Sequence, residues 1–250
     1  MIPKVIHYCW FGGNPLPKSA LKCIDSWKKY FPDYEIKEWN ESNYDVNKIQ
    51  YTREAYSAKK YAFVSDYARF DIINTHGGVY FDTDVEVIKP FDDILENGAF
   101  MGCEIDGSDV DSIDVNSGIG IATAPGLGIA SEKGTDIYKE ILDAYSTFRF
   151  LNDDGTYNTT TIVKYTTDIL KKHGLKNIKG IQKVAGITVY PKEYFNPLDD
   201  LTGKVEKTEN THSIHWYSKT WLSKGEILRS KITKPFHRIF GNDCFGWLKK

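Results

Sequence analysis

The chain begins with short apolar runs separated by a helix-like pattern. Residues 5–11 and 34–39 have the composition and alternation of strands, and residues 19–31 between them carry apolar side chains at helical spacing. This strand–helix–strand order predicts an α/β sheet. A longer helix is predicted over residues 55–75, because side chains such as Phe63, Tyr67 and Phe70 recur at helical spacing. Gly77 beyond its end can adopt the positive φ of a helix C-cap without a side-chain penalty.

The later pattern extends the same architecture. Strands are predicted at residues 79–81, 85–88, 100–103, 119–122, 187–190 and 213–217, helices at residues 135–148 and 160–173, and loops at residues 106–116 and 194–197. The expected fold class is α/β, with a Rossmann-like mixed sheet flanked by helices. Residues 1–225 are predicted to form one domain, and residues 226–250 a short C-terminal helical tail.

Composition narrows the class of protein. A chain of 250 residues with 41% hydrophobic and 26% charged residues is typical of a soluble globular domain. The net charge of −2 supplies no basic field, so nucleic acid is not expected as a partner. The aromatic content of 14% fits either a tyrosine-rich core or a cleft lined with rings for sugars or bases. The four cysteines lie far apart without CxxC spacing and are expected to be free thiols in a reducing compartment.

The chain ends bear on localisation. Met1 leads directly into the first predicted strand without a secretory signal peptide, and no apolar run approaches the ~20 residues that span a bilayer. We therefore expect a cytoplasmic protein. The tail after residue 231 combines basic and aromatic residues. That composition is typical both of peripheral contact with an anionic membrane, here the inner face of the plasma membrane, and of a helix packed on the domain.

Two carboxylates, Asp82 and Asp84, follow the predicted strand at residues 79–81. In an extended segment alternate side chains share one face, so both carboxylates are expected to face one ligand. Their oxygens suit Mg²⁺ or Mn²⁺, ions that bind carboxylates together with substrate phosphates and offset the charge of a leaving diphosphate. An ordinary acidic pair in a surface turn is the alternative, since the D-x-D pattern alone is weak evidence.

The preceding helix adds polar groups to this segment. Ser65, Asp66 and Arg69 are spaced to share one helical edge, which then presents a hydroxyl, a carboxylate and a guanidinium. One interpretation is a helix-surface ion pair worth a few tenths of a kcal/mol. The other is a polar cluster that accepts hydrogen bonds from sugar hydroxyls and donates them to sugar or phosphate oxygens.

Together these segments resemble a known family. The runs at residues 2–13, 65–69, 77–80 and 82–84 are similar to those of the DxD-containing glycosyltransferases of family 32. That family includes fungal Golgi mannosyltransferases and small bacterial capsule or exopolysaccharide glycosyltransferases, and is related to the glucosylating domains of clostridial toxins. The resemblance is strong over residues 1 to 105 and looser over residues 213–221. It implies a GT-A fold and a retaining, Mn²⁺- or Mg²⁺-dependent transfer of a hexose from a nucleotide-sugar.

The resemblance also implies roles for four residues near the reaction centre. Asp66 and Arg69 are similar to the pair that grips the donor sugar. Asp82 is similar to the residue that contacts the ribose or sugar beside the metal, and Asp84 to the direct metal ligand.

Three further residues are implied to bind the donor. Trp10 is similar to the aromatic residue that stacks on the nucleobase, with a core tryptophan as the alternative. Ser65 is expected near the ribose, and Tyr80 beside the donor.

The match near the C-terminal end is less complete, because the small Gly-Ser run of many relatives is missing. His215 is implied as a further metal ligand, with a strand histidine bonded to backbone as the alternative. Lys219 is implied to neutralise the leaving diphosphate and Trp221 to cap the donor; a surface lysine and a core tryptophan are the alternatives. His7 and His212 are expected to be structural. The polar loops at residues 116–118 and 158–161 are expected to meet the acceptor.

The implied reaction moves a hexose from a UDP-hexose or GDP-mannose to a saccharide or lipid-linked oligosaccharide, in capsular, exopolysaccharide or lipopolysaccharide assembly. No carboxylate is obviously placed as a nucleophile, which favours front-face attack by the acceptor. One alternative is a catalytically silent nucleotide- or glycan-binding module. Another is a phosphatase of the haloacid dehalogenase type, although Glu86 occupies the position at which that motif has threonine or valine.

Overall fold

A computed structural model describes residues 1–108 and 120–218 of the chain. In the described residues the strands are β1 Val5–Cys9, β2 Glu35–Trp39, β3 Gly78–Tyr80, β4 Val85–Val87, β5 Phe100–Ile105, β6 Ala122–Thr123, β7 Ile129–Ser131, β8 Gln182–Val184, β9 Ile187–Tyr190 and β10 Ser213–His215. The helices are α1 Lys18–Tyr30, α2 Gln50–Ser57, α3 Tyr61–His76, α4 Asp92–Leu95, α5 Asp136–Ser146, α6 Ile162–Lys172 and α7 Lys192–Phe195.

The main sheet has the strand order β2-β1-β3-β7-β5-β9-β8, and β6 pairs with β5. Strand β1 is parallel to both β2 and β3, β7 is antiparallel to its neighbours β3 and β5, and β9 is parallel to β5. This mixed sheet with flanking helices confirms the α/β class and the Rossmann-like mixed sheet expected from the sequence. The carboxyl ends of β1, β3 and β5 meet at one edge, where ligands of open α/β sheets bind.

The two faces of the sheet bury separate apolar clusters. Because side chains alternate along a strand, Tyr80 belongs to the cluster beneath α2, α3, α5 and α6, whereas Val79 and Phe81 belong to the cluster beneath α1, α4 and α7. Many rings fill these clusters: Trp27, Tyr51, Tyr138, Phe100 and Phe195 are all fully buried. Much of the aromatic content therefore forms the core.

A second, two-stranded sheet pairs β10 with β4 in antiparallel register, so that His215 lies opposite Val85. Trp27 of α1 supports it from below by donating its indole N–H to the Val85 carbonyl at 2.8 Å. This pairing places the residues from 213 onward next to the turn that follows β3. The structure thus joins two segments that are 130 residues apart in the sequence.

Two local predictions are wrong. The helix predicted over residues 55–75 is two helices, α2 and α3, separated by a turn in which Lys59 has a φ of 58°. Residues 194–197, predicted as a loop, overlap the short helix α7. Apolar spacing continues across the first break, so the pattern alone could not show that the chain turns there.

The predicted chemistry of the cysteines agrees with the structure over its described part. Cys9, Cys23 and Cys103 are free and buried, and burial raises the pKa of each thiol. Among the helices that the structure describes, none has both the length and the apolar character needed to cross a bilayer. The predicted tail over residues 226–250 lies outside the described residues.

His7 has the structural role expected of it. Its ring is buried, Trp39 donates its indole N–H to His7 Nδ1 at 3.0 Å, and Nε2–H donates to the Gly77 carbonyl at 3.0 Å. Burial lowers the pKa of His7 from 6.5 to about 4. The neutral ring therefore ties β1 and β2 to the end of α3.

This burial predicts an acid-dependent stability. The unfolded imidazole binds a proton below its ordinary pKa while the folded one does not, so the free energy of unfolding falls as the pH drops from 6.5 towards 4. The loss is about 3 kcal/mol at most. Urea unfolding between about pH 7 and pH 4.5 should show this slope in the wild type and a smaller slope in His7→Gln. The surface residue His173, substituted in the same way, is the control; equal slopes in all three proteins would contradict the assignment.

Candidate active site

The D-x-D segment forms a turn rather than the extended strand expected from the sequence. The Val85 amide donates to the Asp82 carbonyl at 3.0 Å, which closes a turn between β3 and β4. The two carboxylates nevertheless converge, because the turn folds Asp84 back beside Asp82. The expected shared ligand position is therefore present for a different geometric reason.

His215 completes this group from β10. One ligand atom from each of Asp82, Asp84 and His215 lies within 4.8 Å of the other two. His215 Nε2 is 3.1 Å from Asp84 Oδ1, and its Nδ1 is buried without a hydrogen-bond partner in the described part of the chain. The alternative of a strand histidine bonded to backbone is not seen in the described part of the chain, where the His215 ring contacts the Asp84 carboxylate and the Tyr217 ring.

Asp84 is held by a residue that the sequence analysis missed. Ser218 donates its backbone N–H and its hydroxyl to Asp84 Oδ2, at 2.8 and 2.9 Å. Burial alone would raise the pKa of Asp84, but the charge of His215 and the hydrogen bonds from His215 and Ser218 outweigh burial and hold that pKa well below its usual range. Asp84 is therefore an anion over the physiological pH range. No local pattern marks Ser218, because its role depends on the pairing of β10 with β4.

Arg69 links the helix to the turn. It is 3.0 Å from Asp66 and 3.2 Å from Asp82, and its side chain is only 5% exposed. The interpretation as a helix-surface ion pair is therefore wrong, and the polar cluster predicted at the sheet edge is present. Burial raises the pKa of Asp66 to about 6, despite the opposing charge of Arg69. Burial also raises the pKa of Asp82.

Tyr80 and Gly126 fix the position of Asp82. Tyr80 is buried and donates its hydroxyl to Asp82 Oδ1 at 2.9 Å, so it acts on the site through that carboxylate. The Gly126 carbonyl accepts from the Asp82 amide at 3.2 Å, and a β-carbon at position 126 would collide with Asp82 Oδ2. Sequence analysis did not identify Gly126, whose Pro-Gly context indicates only a turn.

Several buried polar atoms around Asp66 lack partners among the described residues. They are the hydroxyls of Tyr51 and Tyr145 and the Nε of Arg69. Both tyrosines lie close enough to Asp66 for its charge to contribute to their raised pKa, after the larger effect of burial. Unpaired buried polar atoms each cost about 1–3 kcal/mol unless water or a ligand satisfies them.

Trp10 and Ser65 lie on the β1 side of the same edge. Trp10 follows β1, is partly exposed, and donates its indole N–H to the Asn14 carbonyl at 2.6 Å. Ser65 donates its hydroxyl to the Tyr61 carbonyl at 3.2 Å. Lys219, Trp221 and residues 116–118 lie outside the described residues, and their predicted roles remain predictions. His212, expected to be structural, is buried and contacts Asp93 and the Asn210 carbonyl.

The donor atoms of the cluster fit a divalent cation. Two carboxylates and one imidazole nitrogen converge, and oxygen donors with an imidazole suit Mn²⁺, with Mg²⁺ accommodated by the carboxylates. Asp84 is anionic, Ser218 fixes its orientation, and Arg69 and Tyr80 fix that of Asp82. Such supporting hydrogen bonds are typical of residues around a metal ligand. Asp82, Asp84 and His215 are thus the residues that could hold the ion.

The comparisons with known proteins agree with this geometry. Residues 17–101 match the family model described as "Glycosyltransferase sugar-binding region containing DXD motif". The matched part contains α1 to β4 and the turn with Asp82 and Asp84, and it is similar to the DXD-containing sugar-binding region of glycosyltransferases. The resemblance inferred from the sequence motifs is confirmed at this level.

Particular relatives match over shorter spans. A stretch of 111 residues is 32% identical to an uncharacterised glycosyltransferase of Acanthamoeba polyphaga mimivirus and covers 40% of this chain and 43% of that protein. Over the same length the chain is 28% identical to inositol phosphoceramide mannosyltransferase 1 of Schizosaccharomyces pombe, covering 40% of this chain and 33% of that protein. The matches span less than half the length of both curated relatives.

The solved structures that superpose on this chain include two glycosyltransferases. The PaToxG glycosyltransferase superposes with a TM-score of 0.48 and 19% identity, covering 68% of this chain and 69% of that chain. The galactosyltransferase LgtC, in complex with donor and acceptor sugar analogs, superposes with a TM-score of 0.39 and 12% identity, covering 98% of this chain and 99% of that chain. The fold class of this protein follows from its own sheet order.

Proposed function

We propose that this protein is a metal-dependent, retaining hexosyltransferase of glycosyltransferase family 32. It moves a hexose from a UDP-hexose or GDP-mannose to a saccharide or lipid-linked oligosaccharide, in capsular, exopolysaccharide or lipopolysaccharide assembly. The observation that carries the proposal is the convergence of Asp82, Asp84 and His215 at the end of β3, within a sequence region of the DXD sugar-binding type.

A bound Mn²⁺ or Mg²⁺ supplies Lewis-acid stabilisation of the charge that develops on the departing nucleoside diphosphate. The chain's own residues prepare the site for it. Asp84 presents an anionic oxygen whose direction is fixed by Ser218, and Arg69 holds Asp82 in place. Preorganised charges of this kind are usually the largest catalytic term.

The donor sugar is assigned to the Arg69 side of the cluster. There Asp66 accepts hydrogen bonds from hydroxyls, and Arg69 contributes positive charge. Trp10, at the end of β1, is assigned to the nucleobase, since its ring is partly exposed at the same edge. Ser65 is assigned to the ribose. Cleavage of the anomeric carbon–oxygen bond, with front-face attack by the acceptor hydroxyl, then gives retention of configuration.

Lys219 and Trp221 are proposed to close over the diphosphate and the donor, on the basis of the sequence resemblance. The tail over residues 226–250 is proposed to bring this cytoplasmic protein to the anionic inner face of the plasma membrane, on the basis of its basic and aromatic composition. Co-sedimentation with vesicles containing phosphatidylglycerol tests the second proposal. Equal recovery with neutral phosphatidylcholine vesicles would contradict it.

The function is tested by binding and by turnover. UDP and GDP, each with and without MnCl₂ or MgCl₂, are screened for an increase in the melting temperature, and nucleoside diphosphate release is followed with UDP-glucose, UDP-galactose and GDP-mannose. The proposal predicts that one diphosphate stabilises the protein only with metal, and that the corresponding donor is turned over. Metal-dependent binding without turnover of any donor would instead favour a silent binding module. Phosphate release from p-nitrophenyl phosphate would favour a phosphatase.

A further inference from the structure

Glu104 occupies an irregular position near the carboxyl end of β5. The pairing of β5 with β6 shifts register between Cys103 and Ile105, so Glu104 lies at a β-bulge. Bulges interrupt the regular alternation of side chains and commonly re-aim one side chain next to an active site. The carboxyl end of β5 is at the same edge of the sheet as the D-x-D turn, two strands away through β7.

The carboxylate of Glu104 differs from the others at this edge in having no hydrogen-bond or ion-pair partner among the described residues. It is partly buried, yet it makes neither a hydrogen bond nor an ion pair with any residue in the described ranges 1–108 and 120–218. Asp66, Asp82 and Asp84 by contrast are each paired with Arg69 or His215. A partly buried carboxylate without a partner in the described part of the chain gains from a hydrogen-bond donor, so Glu104 can accept one from a ligand.

The neighbours of Glu104 locate that position. Phe100 and Gly102 precede it on the same face of β5, where Gly102 packs against Phe195 of α7. Along this face Glu104 interacts electrostatically with His215 and Lys192, and with the hydroxyl of Tyr217. Glu104 therefore lies near the candidate metal cluster, at the β5 side of this edge, without belonging to the group of atoms that lie within 4.8 Å of one another.

We propose that Glu104 positions the acceptor saccharide by accepting a hydrogen bond from one of its hydroxyls. This inference rests on the proposed transferase function. An anionic side chain repels a diphosphate, so its ligand is a neutral hydrogen-bond donor, and saccharide hydroxyls are such donors. Trp10, Asp66 and Arg69 place the donor on the β1 and β3 side of the cluster, which leaves the β5 side for the second substrate.

The test separates acceptor use from donor use. Glu104→Gln keeps the shape and removes the charge, Glu104→Asp shortens the side chain, and Glu193→Gln on α7, whose carboxylate accepts from Asn210, is the matched control. For each protein we measure Mn²⁺-dependent UDP and GDP binding. We also measure diphosphate release from the active donor in water alone, and with methyl α- and β-glycosides of glucose, galactose, mannose and N-acetylglucosamine.

The wild type and Glu193→Gln are expected to release diphosphate faster with at least one glycoside than with water. Glu104→Gln is expected to keep diphosphate binding and hydrolysis of the donor within about threefold, while the KM for that glycoside rises at least about tenfold, the size expected for loss of one charge-assisted hydrogen bond. Glu104→Asp should show the same pattern in a milder form.

Other results overturn the inference. Unchanged glycoside kinetics in Glu104→Gln would remove Glu104 from the acceptor site while leaving the transferase proposal intact. Equal loss of diphosphate binding, or a folding defect in both Glu104 variants, would assign it to the donor site or to the structure. A wild type whose diphosphate release no glycoside accelerates would contradict acceptor binding at this position, and a wild type without any donor turnover would refute the proposed function itself.

Discussion

Replacing Asp84 with asparagine is expected to abolish metal-dependent binding of the nucleoside diphosphate and to reduce transfer at least about 10³-fold. The asparagine side chain has nearly the same size and can still accept hydrogen bonds from Ser218. It lacks the anionic oxygen that faces His215. Isothermal titration with UDP or GDP, in the presence and absence of MnCl₂, measures the first effect. Diphosphate release from the active donor measures the second.

Glu86→Gln is the matched control for this prediction. Glu86 lies two residues further on, in β4, and binds Lys22 and the indole N–H of Trp216 rather than the metal cluster. It should bind diphosphate with the same metal dependence as the wild type. If diphosphate binding by Asp84→Asn still depends on metal, the ion is held elsewhere. If the metal dependence disappears equally in both variants, the substitutions disturb the local fold rather than remove a metal ligand.

Replacing Arg69 with methionine is expected to destabilise the fold by about 3–5 kcal/mol near neutral pH. The substitution leaves the carboxylates of Asp66, which is 13% exposed, and Asp82, which is 27% exposed, without their shared cation. Urea unfolding of the two proteins measures the difference. The loss of unfolding free energy should shrink as the pH falls towards 5. Buried carboxylates with a raised pKa bind protons in the folded protein at a higher pH than in the unfolded chain, and the pKa of Asp66 is already about 6 with Arg69 present.

Arg149→Met is the control for Arg69. Arg149 also pairs with two carboxylates, those of Glu54 and Asp153, but it is 49% exposed. Exposed pairs contribute only about 0–1 kcal/mol, so this variant should stay close to the wild type. If both arginine variants lose the same free energy, or if Arg69→Met loses less than about 1 kcal/mol, the buried charge cluster does not have the energetic role inferred for it.

The sequence predicted the parts of this protein that depend on local periodicity. The helical spacing of α1, the glycine after α3 and the apolar run of β3 each reflect rules that act within a few residues. The α/β class followed from their order. The helix break at Lys59 was missed because apolar spacing continues through it while the backbone there takes a positive φ.

The sequence predicted which residues form the candidate site better than it predicted how the backbone brings them together. Asp82 and Asp84 were expected to converge through an extended backbone, whereas a turn brings them together. His215 was found through the family resemblance. Ser218, Gly126 and Glu104 were not found, because their positions depend on strand pairing and packing between segments far apart in the sequence. Their local sequences contain no pattern that distinguishes them from ordinary loop and strand residues.

Asp84, together with Asp82 and His215, is proposed to hold the divalent ion that meets the diphosphate. The most direct test is anomalous diffraction at the manganese edge from crystals grown with MnCl₂ and the stabilising diphosphate. We expect an anomalous peak beside Asp82, Asp84 and His215, together with an ordered pyrophosphate. An ordered pyrophosphate without a manganese peak beside Asp84 would contradict it.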